Sequence, residues 1–230
     1  MDTRRLLDQL FQSGQQLLQG KPGSPAQSPV TGALGSLLGG TGGGWLAGGA
    51  VGLLLGNRKA RKLGGKALAY GGLAALGVMA YKAYGNWQAQ QQTAPRGEPQ
   101  TLDRLPAAQA EEHSQAILRA LVAAAKADGH VDERERQLIE EEITRLGTGD
   151  ELQAWLHSEL NRPLDPVDVA RSAKTTEMAA EMYLASVMMV DEEHFMERAY
   201  LDELARQLSL DDRLKAELEA QVKAARAALS

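Results

Sequence analysis

Five carboxylates in the C-terminal half stand at spacings that could serve a cation: Asp128, Asp132 and Glu135 around one acidic loop, Asp191 and Glu197 around another. Carboxylate oxygens are hard ligands of the kind calcium and magnesium prefer, which places these two ions ahead of zinc or manganese. His130 and His194 lie in the same loops, and an imidazole at either would tilt selection towards a transition metal. The pattern is not that of an EF-hand, which needs a twelve-residue ligand loop with glycine at its sixth position. The acids also have ordinary structural work available. Asp132 and Glu135 have capping-box spacing, and Glu197 falls in a first helical turn, where the dipole favours an acid that can simply face water. A divalent cation site, a protein-binding patch, and a set of caps on solvated surface all fit. Other chemistry is poorly supplied. The chain has no cysteine, no serine in a nucleophile elbow and no phosphate loop ending in Gly-Lys-Ser/Thr.

The acids belong to a repeated unit. Residues 115–147 align with 178–209 when a one-residue gap is placed in the second loop, pairing Asp128 with Asp191, Glu135 with Glu197 and Leu146 with Leu208. Each unit reads as helix, short acidic loop, helix, a layout that brings two loops onto comparable surfaces of one bundle. Apolar spacing marks the helices: Ile117, Leu118, Leu121 and Val122, then Leu138, Ile139, Ile143 and Leu146. Tyr200, Leu201, Leu204 and Leu208 mark a later helix, and Leu214, Leu218, Val222 and Leu229 the last. Asp132 with Glu135, Thr148 with Glu151, and Asp165 with Pro166 supply helix starts. Met178, Met182, Met188, Met189 and Met196 read as adaptable core filling. His113 and His157 sit among polar neighbours and are expected to face solvent. No strand pattern competes, so the fold class is all-α, with residues 107–230 as one helical bundle.

The N-terminal half has a different composition. Of 24 glycines, 21 precede residue 98, and that segment carries 10 Lys+Arg against 2 Asp+Glu. The remainder carries 15 against 28, so a basic, glycine-rich half is joined to an acidic one. Residues 1–20 form an amphipathic pattern through Leu6, Leu7, Leu10, Phe11, Leu17 and Leu18, whose apolar face needs a membrane surface or a protein partner. Residues 21–32 are a Gly/Pro/Ser/Gln linker.

Residues 33–56 contain no charge, a length sufficient for one helical crossing of a bilayer. Gly40, Gly44, Gly48, Gly52 and Gly56 recur every four residues, the small-residue stripe that lets membrane helices pack closely and self-associate. Arg58, Lys59, Arg61, Lys62 and Lys66 follow without an acid among them, which fits the cytoplasmic face or anionic headgroups better than nucleic acid. A second apolar stretch, 67–81, is short for a crossing and could lie in the interface with Tyr81, Tyr84 and Trp87 as an aromatic belt. Residues 33–87 are thus a membrane segment or hairpin, and Pro95, Pro99 and Pro106 mark 88–106 as a linker. One crossing at 33–56 places the bundle in the cytoplasm with the N-terminus outside; a true hairpin would send the bundle outside. The single crossing is preferred.

The run VAAAKADGHVDERERQLI resembles the signature of the tellurite-resistance TerB-like helical domain. The wider layout, a glycine-rich apolar half followed by that domain and by ERAYLDELARQLSL, resembles the DUF533 family of YebE-like bacterial inner-membrane proteins. The resemblance implies an all-helical, acidic domain, open to metal association, tethered to the bacterial inner membrane and with no established enzymatic activity. The sequence departs from the pattern at Asp191-Glu192-Glu193-His194, which lacks the glycine turn. The expected function is a non-enzymatic binding or scaffold role in envelope or stress response, with the lipid bilayer and an unidentified protein as partners. A metal-dependent enzyme using the loop carboxylates and a purely structural membrane oligomer are the competing classes. Replacing Gly48 and Gly52 by Leu is expected to reduce self-association in membranes, as measured by crosslinking; unchanged association would remove the packing role of the stripe.

Overall fold

The segment TEMAAEMYLASVMM carries apolar residues on every side of a helix, and such a helix must be enclosed all round. In the computed structural model it is helix Thr176–Met189, and every residue from Met178 to Met188 is buried. The structure describes residues 3–8, 72–90, 98–127, 149–190 and 194–227, and the regular elements among them are all helical. In chain order they are α1 (3–8), α2 (Gly72–Gln90), a 3-10 turn (Leu102–Arg104), α3 (Ala107–Ala125), α4 (Asp150–Asn161), α5 (Pro166–Ala170), α6 (Thr176–Met189), α7 (Phe195–Gln207) and α8 (Asp212–Ala227).

Helix α6 is the axis of the bundle. Helices α3, α2, α8 and α7 pack around it, α2 lies along α8, and the short α5 is wedged between α3 and α7. Each surrounding helix contributes one apolar stripe, as helical periodicity requires. On α8 the stripe is Leu214, Leu218 and Val222; on α2 it is Leu76, Met79, Ala80, Ala83, Tyr84 and Trp87. Tyr200, Leu201, Leu204 and Leu208 are buried as their spacing predicts, while Met196 is 54 % exposed and does not fill the core. Helix starts follow local chemistry. The Asp165 carboxylate accepts from the Val167 amide at 2.9 Å with Pro166 at the first helical position, and Thr175 Oγ1 accepts from the Met178 amide at 3.1 Å. Helix α4 starts at Asp150 with Gly149 in the cap position, one residue beyond the Thr148 cap expected from sequence. Ser209, at φ 54°, turns α7 into α8 in the left-handed region, and the Leu210 amide closes the turn on the Ala205 carbonyl.

The domain boundaries differ from those read in the sequence. Tyr84 and Trp87 are core residues between α2 and its neighbours rather than an interfacial belt, because the α8 stripe offers them an apolar surface within the chain. The bundle therefore takes in residues 72–90, of which 72–87 were assigned above to the membrane segment and 88–90 to the linker. Thr101 and Leu102, assigned to the linker, are buried where the 3-10 turn packs on α2 and α3. Among the described residues no helix is long and apolar enough to cross a membrane. The 33–56 run, its glycine stripe and the basic cluster at 58–66 lie outside the described residues, as does the second helix of the first repeat unit.

One carboxylate fastens the first long helix to the last. Asp211 caps α8 by accepting from the Arg213 and Leu214 amides at 2.9 and 3.3 Å, and the same oxygen accepts from the Trp87 indole N–H at 3.0 Å. Asp211→Ala is expected to cost about 2–3 kcal/mol, a lost cap plus a lost indole hydrogen bond. Asp211→Asn, which still accepts, should keep most of that stability. Chemical denaturation followed by tryptophan fluorescence checks both; a neutral Asp211→Ala would refute the assignment.

Candidate functional site

Of the five acids expected to hold a cation, Asp128, Asp132, Glu135 and Asp191 lie outside the described residues. Glu197 is placed in the first turn of α7, and its side chain is 4 % exposed, so it does not face water as a solvated first-turn acid. Its helix period explains this. Glu197 precedes Tyr200, Leu201 and Leu204 by three, four and seven positions and so shares their inward face. His194 and His157 are exposed. Among the described residues no three His, Asp or Glu side chains converge to hold a metal ion.

The polar chemistry enclosed in the bundle lies elsewhere. Glu181 is the one acid in the fully buried stretch of α6, with 0 % exposure. One carboxylate oxygen accepts from the Leu102 amide at 2.6 Å; the other shares a hydrogen bond with His113 Nδ1 at 2.9 Å. Burial pushes its carboxyl above the ordinary carboxylate range, opposed by the hydrogen bonds from His113 and Leu102. His113 is 5 % exposed, contrary to the solvent position expected for it. The polar neighbours Glu111, Glu112, Ser114 and Gln115 misled that expectation. Counted along the helix, His113 stands three residues after Ala110 and four before Ile117, on the buried face of α3. Glu181 had a plainer signal, a single acid inside an unbroken apolar run.

The Glu181 carboxylate anchors a larger arrangement around the 3-10 turn. Thr101 Oγ1 donates to Asp103 Oδ1 at 2.6 Å, and the Asp103 side chain lies so close to α2 that a Cβ on Gly77 would stand 2.6 Å from Oδ1. Any larger residue there would force the Asp103 side chain to shift. Arg104 pairs with Glu98 and stacks over the Tyr81 ring at 4.0 Å.

A second polar network joins α3, α4 and α5. Glu159, 7 % exposed, is held by Arg119 Nη2 at 2.7 Å and Arg162 Nη1 at 3.4 Å, while Arg162 also reaches Asp168 at 2.8 Å. Arg119 donates to Ser172 Oγ at 2.8 Å, and Lys126 Nζ donates to the Glu159 carbonyl at 3.1 Å and to that of Arg162. These cations neutralise the carboxylates and carbonyls that end α4, as a helix C-terminus favours. Both networks tie helices together. Glu181, enclosed and with both oxygens engaged, holds the 3-10 turn and cannot meet a substrate.

The family model described as protein of unknown function (DUF533) matches residues 31–222, so the chain belongs to that family. A curated protein of Yersinia enterocolitica, described as an uncharacterized protein in the ampR 5′ region, is 33 % identical over 109 residues, covering 47 % of this chain and 78 % of that protein. No solved structure matches the chain significantly.

The Glu181 geometry sets a pH dependence. A carboxyl with raised proton affinity in the fold contributes stability that is complete below its unfolded value, 4.5, and is lost as pH rises through the folded value. The wild type should therefore lose stability relative to Glu181→Gln as pH rises from about 4.5 to 7, measured by denaturant titration at each pH. The opposite trend would reject the assignment. Glu181→Ala, which strands the Leu102 amide and His113, should cost about 3 kcal/mol.

Proposed function

We propose that this DUF533 protein is a YebE-like, membrane-anchored, non-enzymatic binding or scaffold protein of the bacterial inner membrane. In this reading it presents an acidic, TerB-like helical bundle to the cytoplasm in envelope or stress response. The observation that carries this reading is the junction in the chain between the charge-free run 33–56 and the five cations Arg58, Lys59, Arg61, Lys62 and Lys66. An apolar segment of that length partitions into hydrocarbon, and cations at its edge hold that edge at the cytoplasmic surface, where anionic headgroups attract them. Residues 98–230 carry 15 Lys+Arg against 28 Asp+Glu, so the bundle is repelled by the same headgroups and stands off the bilayer. The glycine stripe from Gly40 to Gly56 adds self-association in the membrane.

The acidic loops are where a partner engages: a divalent cation, calcium or magnesium ahead of zinc or manganese, or a basic protein surface. Asp128, Asp132, Glu135, Asp191 and Glu197 are the residues assigned to it. The burial of Glu197 supports an inward role for that acid. A fragment starting at residue 107 would lack α2, which covers α8 and α6, so the whole chain is the material to test.

Membranes washed with alkaline carbonate should retain the protein in the pellet, and recovery in the soluble fraction would overturn the anchor. In detergent, millimolar calcium, magnesium, manganese or zinc should raise the melting temperature above its value in chelator, because an ion that binds only the folded state stabilises it. Asp128→Asn with Asp191→Asn should remove the gain. If no ion shifts the melt, or if the shift survives both substitutions, the loop acids other than the buried Glu197 are caps and solvated surface.

A further inference from the structure

We infer that the bundle carries a docking surface for the chain's own N-terminal helix, and that the two therefore lie on the same side of the membrane. The inference rests on the membrane anchorage proposed above and changes its topology. Residues 3–8 were expected to offer an apolar face to a membrane or a partner. In the structure Leu6 and Leu7 are 2 % and 0 % exposed and join the bundle core, Thr3 is fully buried, and Arg4 and Arg5 point outward. The first amides of a helix lack partners within it, and here α3 supplies them. Glu111 accepts from the Thr3 amide through Oε1 at 2.7 Å and from the Arg4 amide through Oε2 at 3.2 Å. A carboxylate facing the positive end of a helix dipole is a favourable cap, contributed in this case by a residue 108 positions away in the chain.

This docking constrains the path of the membrane segment. A single crossing at 33–56 would leave residues 3–8 on the opposite side from residues 72–227, and the contacts with Glu111 would be impossible. Docking by the N-terminal helix of a neighbouring copy in the same orientation leads to the same conclusion. An even number of crossings would require a second span of about 20 apolar residues. The chain has no segment for it: 57–71 holds five cations, 9–32 is rich in Gln, Ser and Pro, and α2 is committed to the bundle. The single crossing at 33–56 preferred from sequence is therefore set aside, and the N-terminus joins the bundle and the basic cluster on the cytoplasmic side.

The chain has no cysteine, so single-cysteine variants report cleanly. Asp2→Cys and Ser230→Cys, each in the full-length chain in spheroplasts, should react with an impermeant maleimide only after permeabilisation. Labelling of residue 2 but not 230 in intact spheroplasts would overturn the shared side. Labelling of both would keep it and overturn the cytoplasmic placement. The docking is read separately, by a short bismaleimide across Arg4→Cys and Glu112→Cys. The crosslinked band should form in the full-length chain and be lost when Leu7→Asp is added. Absence of the band overturns the docking whatever the labelling pattern. Recovery of the protein in the soluble fraction overturns the anchor and the shared side, and leaves the crosslink to decide the docking alone.

Discussion

Enclosing one helix that is apolar on every side is the constraint from which the bundle follows. Helix α6 offers no face to water, so α2, α3, α7 and α8 must each turn an apolar stripe towards it, and their lengths and crossings are subordinate to that cover. The strict stripe on α8 and the broader one on α2 are what a helix needs when one side meets a buried neighbour and the other meets solvent. Two further elements, the 3-10 turn and α1, close the ends of the same core with a handful of residues each.

Enclosure makes the acid inside it expensive. A carboxyl group taken fully out of water is tolerated only when its oxygens are engaged, and replacing the whole engaged set together by apolar groups of the same shape is often no loss to stability. What Glu181 contributes is therefore a position. By taking one amide from the 3-10 turn and a ring nitrogen from α3, it sets where the chain leaving α2 must cross α6. The fit at Gly77 and the stacking of Arg104 on Tyr81 follow from that crossing point. Glu111 plays a similar part at the surface, where an acid on α3 fixes the start of α1.

The legible part of this fold was the part written in local periodicity. The stripes of α3, α7 and α8 and the Asp165-Pro166 start could be read because each depends on residues within two turns of one another. The outer boundary of the bundle could not. Leu76, Tyr84 and Trp87 suit a bilayer interface and a protein core equally well, and helices α6 and α8, roughly a hundred or more residues later, decide between them. Leu6 and Leu7 present the same ambiguity, resolved by their place in the bundle core. His113 was hidden by its polar sequence neighbours, of which Glu112 is exposed while Ser114 is buried with it. For the acidic loops, the sequence names candidates at Asp128, Asp132, Glu135 and Asp191, and the structure places Glu197 in the core beside them in sequence.

The bond between the Trp87 indole and Asp211 spans 124 residues of chain, and that distance matters during synthesis. At about 5–20 residues per second, roughly 6–25 s separate the emergence of one partner from that of the other. For that interval α2 has left the ribosome without the α8 side of its cover, although the 3-10 turn and α6 emerge before α8 does. A nascent chain in this state exposes apolar side chains of α2 that the finished bundle encloses, and such surface is a target for chaperones. Helix α8 completes the cover of α2, and any truncation before Leu214 leaves that cover incomplete.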